Sequence, residues 1–118
     1  MNIELIRIHA TTKKGVEECF PFDNETLVFK VMGKIFLLMS LEKQPLSFNA
    51  KSEPDKAIEL RENYACVQPG YHMNKKHWNT ITLDGSVSSS LIKQWIDDSY
   101  DLVIKSLTKK QQAELQSF

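Results

Sequence analysis

Cysteine is scarce in this sequence, glycine is scattered and net charge is missing, and each shortage removes a class of protein. Only Cys19 and Cys66 occur, far apart and in no CxxC spacing, which argues against a redox pair and a cysteine-based zinc module. Two reduced, partly buried thiols are expected. The four glycines are isolated from one another, so there is no glycine-rich phosphate loop. Fifteen Lys and Arg balance fifteen Asp and Glu, whereas a dedicated nucleic-acid binder usually shows a clear basic excess. No apolar run is long enough, free of lysine, to span a bilayer. The N-terminal "MNIELIRIHATTKK" carries an acid and an arginine among its apolar positions and no small-residue cleavage site, against a secretory signal. A cytoplasmic protein without a membrane segment is expected.

What is present is ordinary for one soluble domain: 118 residues, 42% hydrophobic and 25% charged. A chain of this size removes roughly two-thirds of its unfolded surface from water, so residues 1–118 are read as a single domain needing no disulfide, metal or cofactor to fold. Charge is uneven along it. Two windows, Thr26 to Leu41 and Asn63 to Leu83, contain no Asp or Glu, and their only formal charges are Lys30, Lys34, Lys75 and Lys76. Strands buried against a core would exclude acids in this way, and so would a basic binding face.

Apolar periodicity at Ile3, Ile6 and Ala10 predicts a helix over 2–14, with Gly15 as its C-terminal cap. "CFPFDNET" reads as an irregular connection around Pro21 and Asp23-Asn24. "TLVFKVMGKIFLLMSL" reads as two strands joined by a two-residue turn at Gly33-Lys34, and "PLSFNA" as a third. Pro54 at a first helical position opens a helix over roughly 54–64. "ACVQPG" and "HWNTITLDG" predict two more strands, the second alternating Ile81 and Leu83 with Thr80 and Thr82. Leu91, Ile92, Trp95, Ile96, Ser99 and Val103 mark the longest helix, from Ser88 to Leu107, with serine N-caps. The tail from Lys109 adds at most a last helical turn. The fold class is therefore α+β in two layers, an antiparallel sheet with helices on one face, in the order α-β-β-β-α-β-β-α.

Most chemical motifs fail on their own terms. Ser90-Leu91-Ile92-Lys93 matches SxxK but lacks the partner motifs of penicillin-recognising enzymes. Asn24-Glu25-Thr26 is a sequon without meaning in a cytoplasmic chain. His72 and His77, with Cys66 upstream, match no zinc spacing, so no metal site is expected. Asp97, Asp98 and Asp101 read as a solvated helix face rather than a catalytic pair. The densest polar stretch is "PGYHMNKKHWNT" at 69–80, where a Pro-Gly turn precedes cations and donors interleaved with aromatics, the mix that phosphates and base faces accept. Trp78 within it is assigned to the core.

With "FPFD" at 20–23, "VFKVMGKIF" at 28–36, "AKSEPDKAIELRE" at 50–62, "PGYHMNKKHWNTITLDGS" at 69–86 and "SYDLVIKSL" at 99–107, nearly the whole chain resembles the MmcQ/YjbR family. The resemblance implies a small α/β domain similar to secretion chaperones, and a DNA-binding-like role in which hairpins act as wings. By position, the family's lysines fall on Lys30, Lys34 and Lys51, and its signature on Pro69, His72, Asn74, Lys75, His77, Trp78, Ser99 and Tyr100. Asp23 departs from the pattern, where relatives often carry glycine.

Two functions follow as expectations. The first is sequence-tolerant DNA binding through Lys30, Lys34, Lys51, Tyr71, His72, Asn74, Lys75, Lys76 and His77. Four lysines on phosphates would give a salt slope near −3.6. The second is a protein or peptide interaction module, whose sign would be an uncharged apolar patch near Trp78. An enzyme would need His72, Asn74, His77 and Tyr100 to converge, and no nucleophile–base pair is visible, so no catalytic residue is expected. His77 and Ser99 could instead be buried polar groups bonded to backbone. A monomer or weak dimer is expected.

Overall fold

A computed structural model describes residues 1–70 and 73–118. The chain runs α1 (Ile3–Thr11), β1 (Val16–Cys19), β2 (Thr26–Val31), β3 (Lys34–Ser40), β4 (Ser47–Lys51), α2 (Pro54–Asn63), β5 (Val67–Pro69), β6 (Trp78–Thr82), α3 (Ser89–Ser106) and α4 (Lys109–Gln116). All six strands form one antiparallel sheet in the order β1-β2-β3-β4-β6-β5. The α+β class, the antiparallel sheet and the one-sided layer of helices are as the sequence predicts.

Strand alternation explains the layering. Leu27, Phe29 and Val31 of β2, Leu37 and Met39 of β3, Phe48 and Ala50 of β4 and Ile81 of β6 point to one side. There they pack with Ile6 and Ala10 of α1, Leu60 of α2, Ile92, Trp95, Ile96 and Val103 of α3 and Leu115 of α4. The alternate residues form the opposite, open face. On it Val28, Leu38 and Trp78 make a small satellite cluster with Cys19, Ile35 and Met73 packed against it. Trp78 is thus buried, as predicted, but on the far side of the sheet from the main core. The two free cysteines are separated in the same way, Cys19 in the satellite and Cys66 in the main core.

Four local features differ from the sequence reading. The first helix stops at Thr11 with Thr12 as its cap. Gly15, at φ +70°, serves the turn into β1, where an added Cβ would meet Leu115 Cδ1 at 2.5 Å. That turn admits a strand, β1, in a stretch read as irregular; its two glutamates hide a short edge strand whose register comes from β2. The β2–β3 turn is Met32-Gly33, with φ of 51° and 79°, one residue earlier than expected. Two left-handed residues make the primed turn that matches strand twist. The tail is a full helix, α4, opened by a reciprocal capping box between Thr108 and Gln111.

In β3 one extra residue, Phe36, lies between the partners of Phe29 and Lys30. This bulge turns both Phe36 and Leu37 into the main core. It also ends the β3–β4 ladder at Leu37 and Ala50, and a side chain from α3 fills the opening.

Candidate functional site

That side chain is Ser99, fully buried. Its hydroxyl donates to the Phe36 carbonyl at 2.6 Å and accepts from the Lys51 N–H at 2.8 Å, replacing the ladder bonds that the bulge removes. Ser99 is therefore a buried polar group holding strands to the last helix. His77 is not; it is half-buried, and it is its carbonyl that accepts from Ser52 N–H at 2.7 Å.

The stretch 69–80 is built in the same way, and much of it is structural. Gly70 N–H donates to the Trp78 carbonyl at 2.8 Å, and a Cβ at Gly70 would lie 2.9 Å from both that oxygen and Trp78 Cβ; only glycine lets β5 approach so closely. Asn74 Oδ1 accepts from Lys76 N–H at 2.9 Å, and the Asn74 carbonyl accepts from Trp78 N–H at 2.9 Å. This is an Asx turn. Lys75 Nζ folds back to the Gly70 carbonyl at 3.1 Å. Arg61 of α2, unmarked by any sequence pattern, stitches the loop from outside: Nε donates to Asn79 Oδ1 at 2.6 Å, and Nη2 donates to the carbonyls of Lys75 and Trp78. Asn79, itself buried, passes the link on to the Ala57 carbonyl at 3.2 Å.

The remaining candidates are divided by the sheet. Lys34 is the Cα partner of the inward-facing Val31, and its Nζ donates to the carbonyl and hydroxyl of Ser106 at 3.3 and 3.4 Å, at the C-terminal end of α3. It sits on the helix side. Lys30 and Lys51 lie on the open face at the end carrying the Met32-Gly33 turn, and Lys51 is the partner of Trp78. Beside Lys51, the Ser52–His77 bond anchors the loop that exposes Lys76. Lys30 faces a carboxylate across the strands, Glu17. Tyr71 and His72 lie outside the described residues. The seven described candidates thus do not form one ridge, and the acid-free hairpin is largely explained by burial on both sheet faces.

Tyr100 does not converge with Asn74 or His77. On the helix side its hydroxyl donates to the Lys14 carbonyl at 2.7 Å, its ring meets Phe36 edge-on and Lys13 Nζ lies 5.1 Å over it. Asp97, read as part of a solvated face, binds His9 Nε2 at 2.7 Å and Lys13 Nζ at 2.6 Å. Burial pushes the Asp97 carboxyl up, but hydrogen bonds and charge from Lys13 and His9 outweigh it and hold the group below its ordinary range.

The other end of the open face is concave. Cross-strand register lines up Thr26, Ser40, Ser47 and Thr82 in one row and Leu38, Asn49 and Thr80 in the next. Over this hydroxyl and amide floor, the β1–β2 loop, the β3–β4 loop and Met73 wall a cleft of about 450 Å³. Asp23 sits on its rim, with Oδ1 accepting from the N–H groups of Glu25 and Thr26 at 2.9 and 2.7 Å; those two bonds lower its pKa. Trp78 is 9% exposed and lies within the satellite cluster with Val28 and Leu38. Among the described residues no group of three His, Cys, Asp or Glu is placed to hold a metal, and no helix is long and apolar enough to cross a membrane.

The chain and its fold are similar to known proteins. The chain is 40% identical over 111 residues to YbdF of Escherichia coli O157:H7, covering 89% of this chain and 91% of that one. It is 29% identical over 110 residues to YjbR of Escherichia coli K12, covering 93% of each. The crystal structure of Deinococcus radiodurans protein DR2400, with the domain DUF419, superposes with a TM-score of 0.93 at 38% identity, over 98% of this chain and 88% of that one. A Pseudomonas syringae protein superposes at 0.75 with 25% identity, over 86% and 98%. The profile of the YjbR family matches residues 11–102, and with three quarters of its length and its whole fold accounted for, the chain belongs to the YjbR family.

Proposed function

We propose that this YjbR-family chain is a DNA-binding protein without catalytic activity, contacting phosphates with little sequence preference through one end of its open sheet face. The observation that carries the reading is the placement of Lys30 and Lys51 on that face and at that end, with the loop bearing Lys76 and His77 anchored beside Lys51. The two lysines stand on strands two apart in the sheet, or about 10 Å at the usual strand spacing. A flat array of cations at this separation neutralises a backbone without reading base edges. Lys34 and Lys75 leave the contact set because their ammonium groups already serve Ser106 and Gly70. The proposal is of a cytoplasmic protein, acting as a monomer or weak dimer.

Fluorescence anisotropy with labelled duplex and single-stranded DNA tests the assignment. Lys51→Ala with Lys76→Ala should weaken binding by about tenfold near 0.1 M salt, while Lys34→Ala should leave it within about twofold. Equal losses from all three lysines, or no binding by the native chain at low salt, would refute it.

A further inference from the structure

The opposite end of the open face has the reverse electrostatics. Among the described residues, the charged groups around the cleft are three carboxylates, Asp23, Glu25 and Glu42, against one ammonium, Lys43. Phosphate would be repelled there. Charge is not the only feature: Phe22, on the rim, is 67% exposed, and the floor carries unspent hydrogen-bonding capacity. Ser47 is 3% exposed and Asn49 8%. The Asn49 carbonyl oxygen accepts from the Thr80 hydroxyl, but its amide nitrogen and the Ser47 hydroxyl bond to no described residue. Among the described residues no enclosed side-chain polar atom lacks a partner, so both groups open into the cleft.

We infer that this cleft is a binding site for a guanidinium group, carried by arginine either free or within a peptide. Each element of the lining meets one part of that ligand. A planar cation stacks on an exposed phenyl ring. Its fork of N–H donors pairs with a rim carboxylate, for which Glu42 is placed, and a compact ammonium could not make the same two-point contact. The Ser47 hydroxyl can accept a further N–H, and the Asn49 amide nitrogen can donate to the ligand's own carbonyl. A volume of about 450 Å³ lies within the range of small-ligand sites. The inference is independent of the DNA reading, since it uses none of the same side chains.

NMR titration of the full chain decides it, with free L-arginine, a capped Gly-Arg-Gly peptide and the citrulline form of each as probes. Arginine should move the amide resonances of Ser47 and Asn49, and citrulline, isosteric but neutral, should bind at least about tenfold more weakly. Glu42→Gln and Phe22→Ala, both at exposed positions, should each weaken arginine binding at least about threefold without altering the fold, whereas Lys51→Ala with Lys76→Ala should leave it unchanged. Tighter binding of the peptide than of free arginine would identify a protein segment as the source, and the reverse a small molecule. Equal binding of arginine and citrulline, or shifts confined to the lysine end of the face, would overturn the inference.

Discussion

Ser99 stands between two backbone groups that have lost their sheet partners to the bulge at Phe36. Replacing it by alanine would leave a buried N–H and a buried carbonyl unpaired, each costing about 1–3 kcal/mol. Ser99→Ala should therefore destabilise the fold by about 3 kcal/mol in a urea denaturation, while a chain that loses less than about 1 kcal/mol would show that water replaces the hydroxyl. Such a role was half visible in sequence. A serine among Trp95, Ile96 and Val103 at helical spacing is an anomaly that asks for a buried partner, but the partners are backbone atoms of two strands nearly fifty and more than sixty residues away. Arg61 and Asn79 were invisible for a similar reason: neither interrupts a pattern, and their link joins an α2 side chain to a β6 side chain and to the carbonyls of Lys75, Trp78 and Ala57. Lys34 and Lys75 looked like contact residues because a sequence displays a cation without showing the carbonyl it caps.

Elements were legible where burial writes a period. The hairpin strands, α2 and α3 fall within a residue or two of their expected bounds, since one-sided packing repeats every second residue in a strand and every third or fourth in a helix. β1 and α4 write no such period, being a four-residue edge strand and a polar helix that buries only Leu115. The hairpin turn was misplaced by one residue because glycine was assigned to the first central position of the turn. It takes the second, and Met32 accepts a φ of 51°. Asparagine tolerates that region better than an unbranched apolar side chain does. Met32→Asn should accordingly keep or raise stability, by up to about 1 kcal/mol measured by thermal unfolding, despite the loss of an apolar group packed at the core's edge. A loss of more than about 1 kcal/mol would mean that Met32 serves the core more than the turn.

At the scale of the whole molecule, four helices cover one side of the sheet and leave the other to two electrostatically opposite regions. Lys30, Lys51 and Lys76 occupy one end, and the carboxylate-rimmed cleft the other. The layered fold class could be read from the alternation of strand and helix patterns, but this division could not, because it depends on which residues share a row across strands distant in sequence. It also explains how a chain of zero net charge can present a local cationic surface, and why a summed charge is a poor guide to one. The salt dependence of DNA affinity tests this arrangement most directly. Three lysines on phosphates predict that log affinity falls against log salt with a slope near −2.7 on duplex DNA, and near zero for the Lys30→Ala, Lys51→Ala, Lys76→Ala triple variant. A slope unaltered by the triple substitution, or one already flat in the native chain, would contradict the assignment of the open face to DNA.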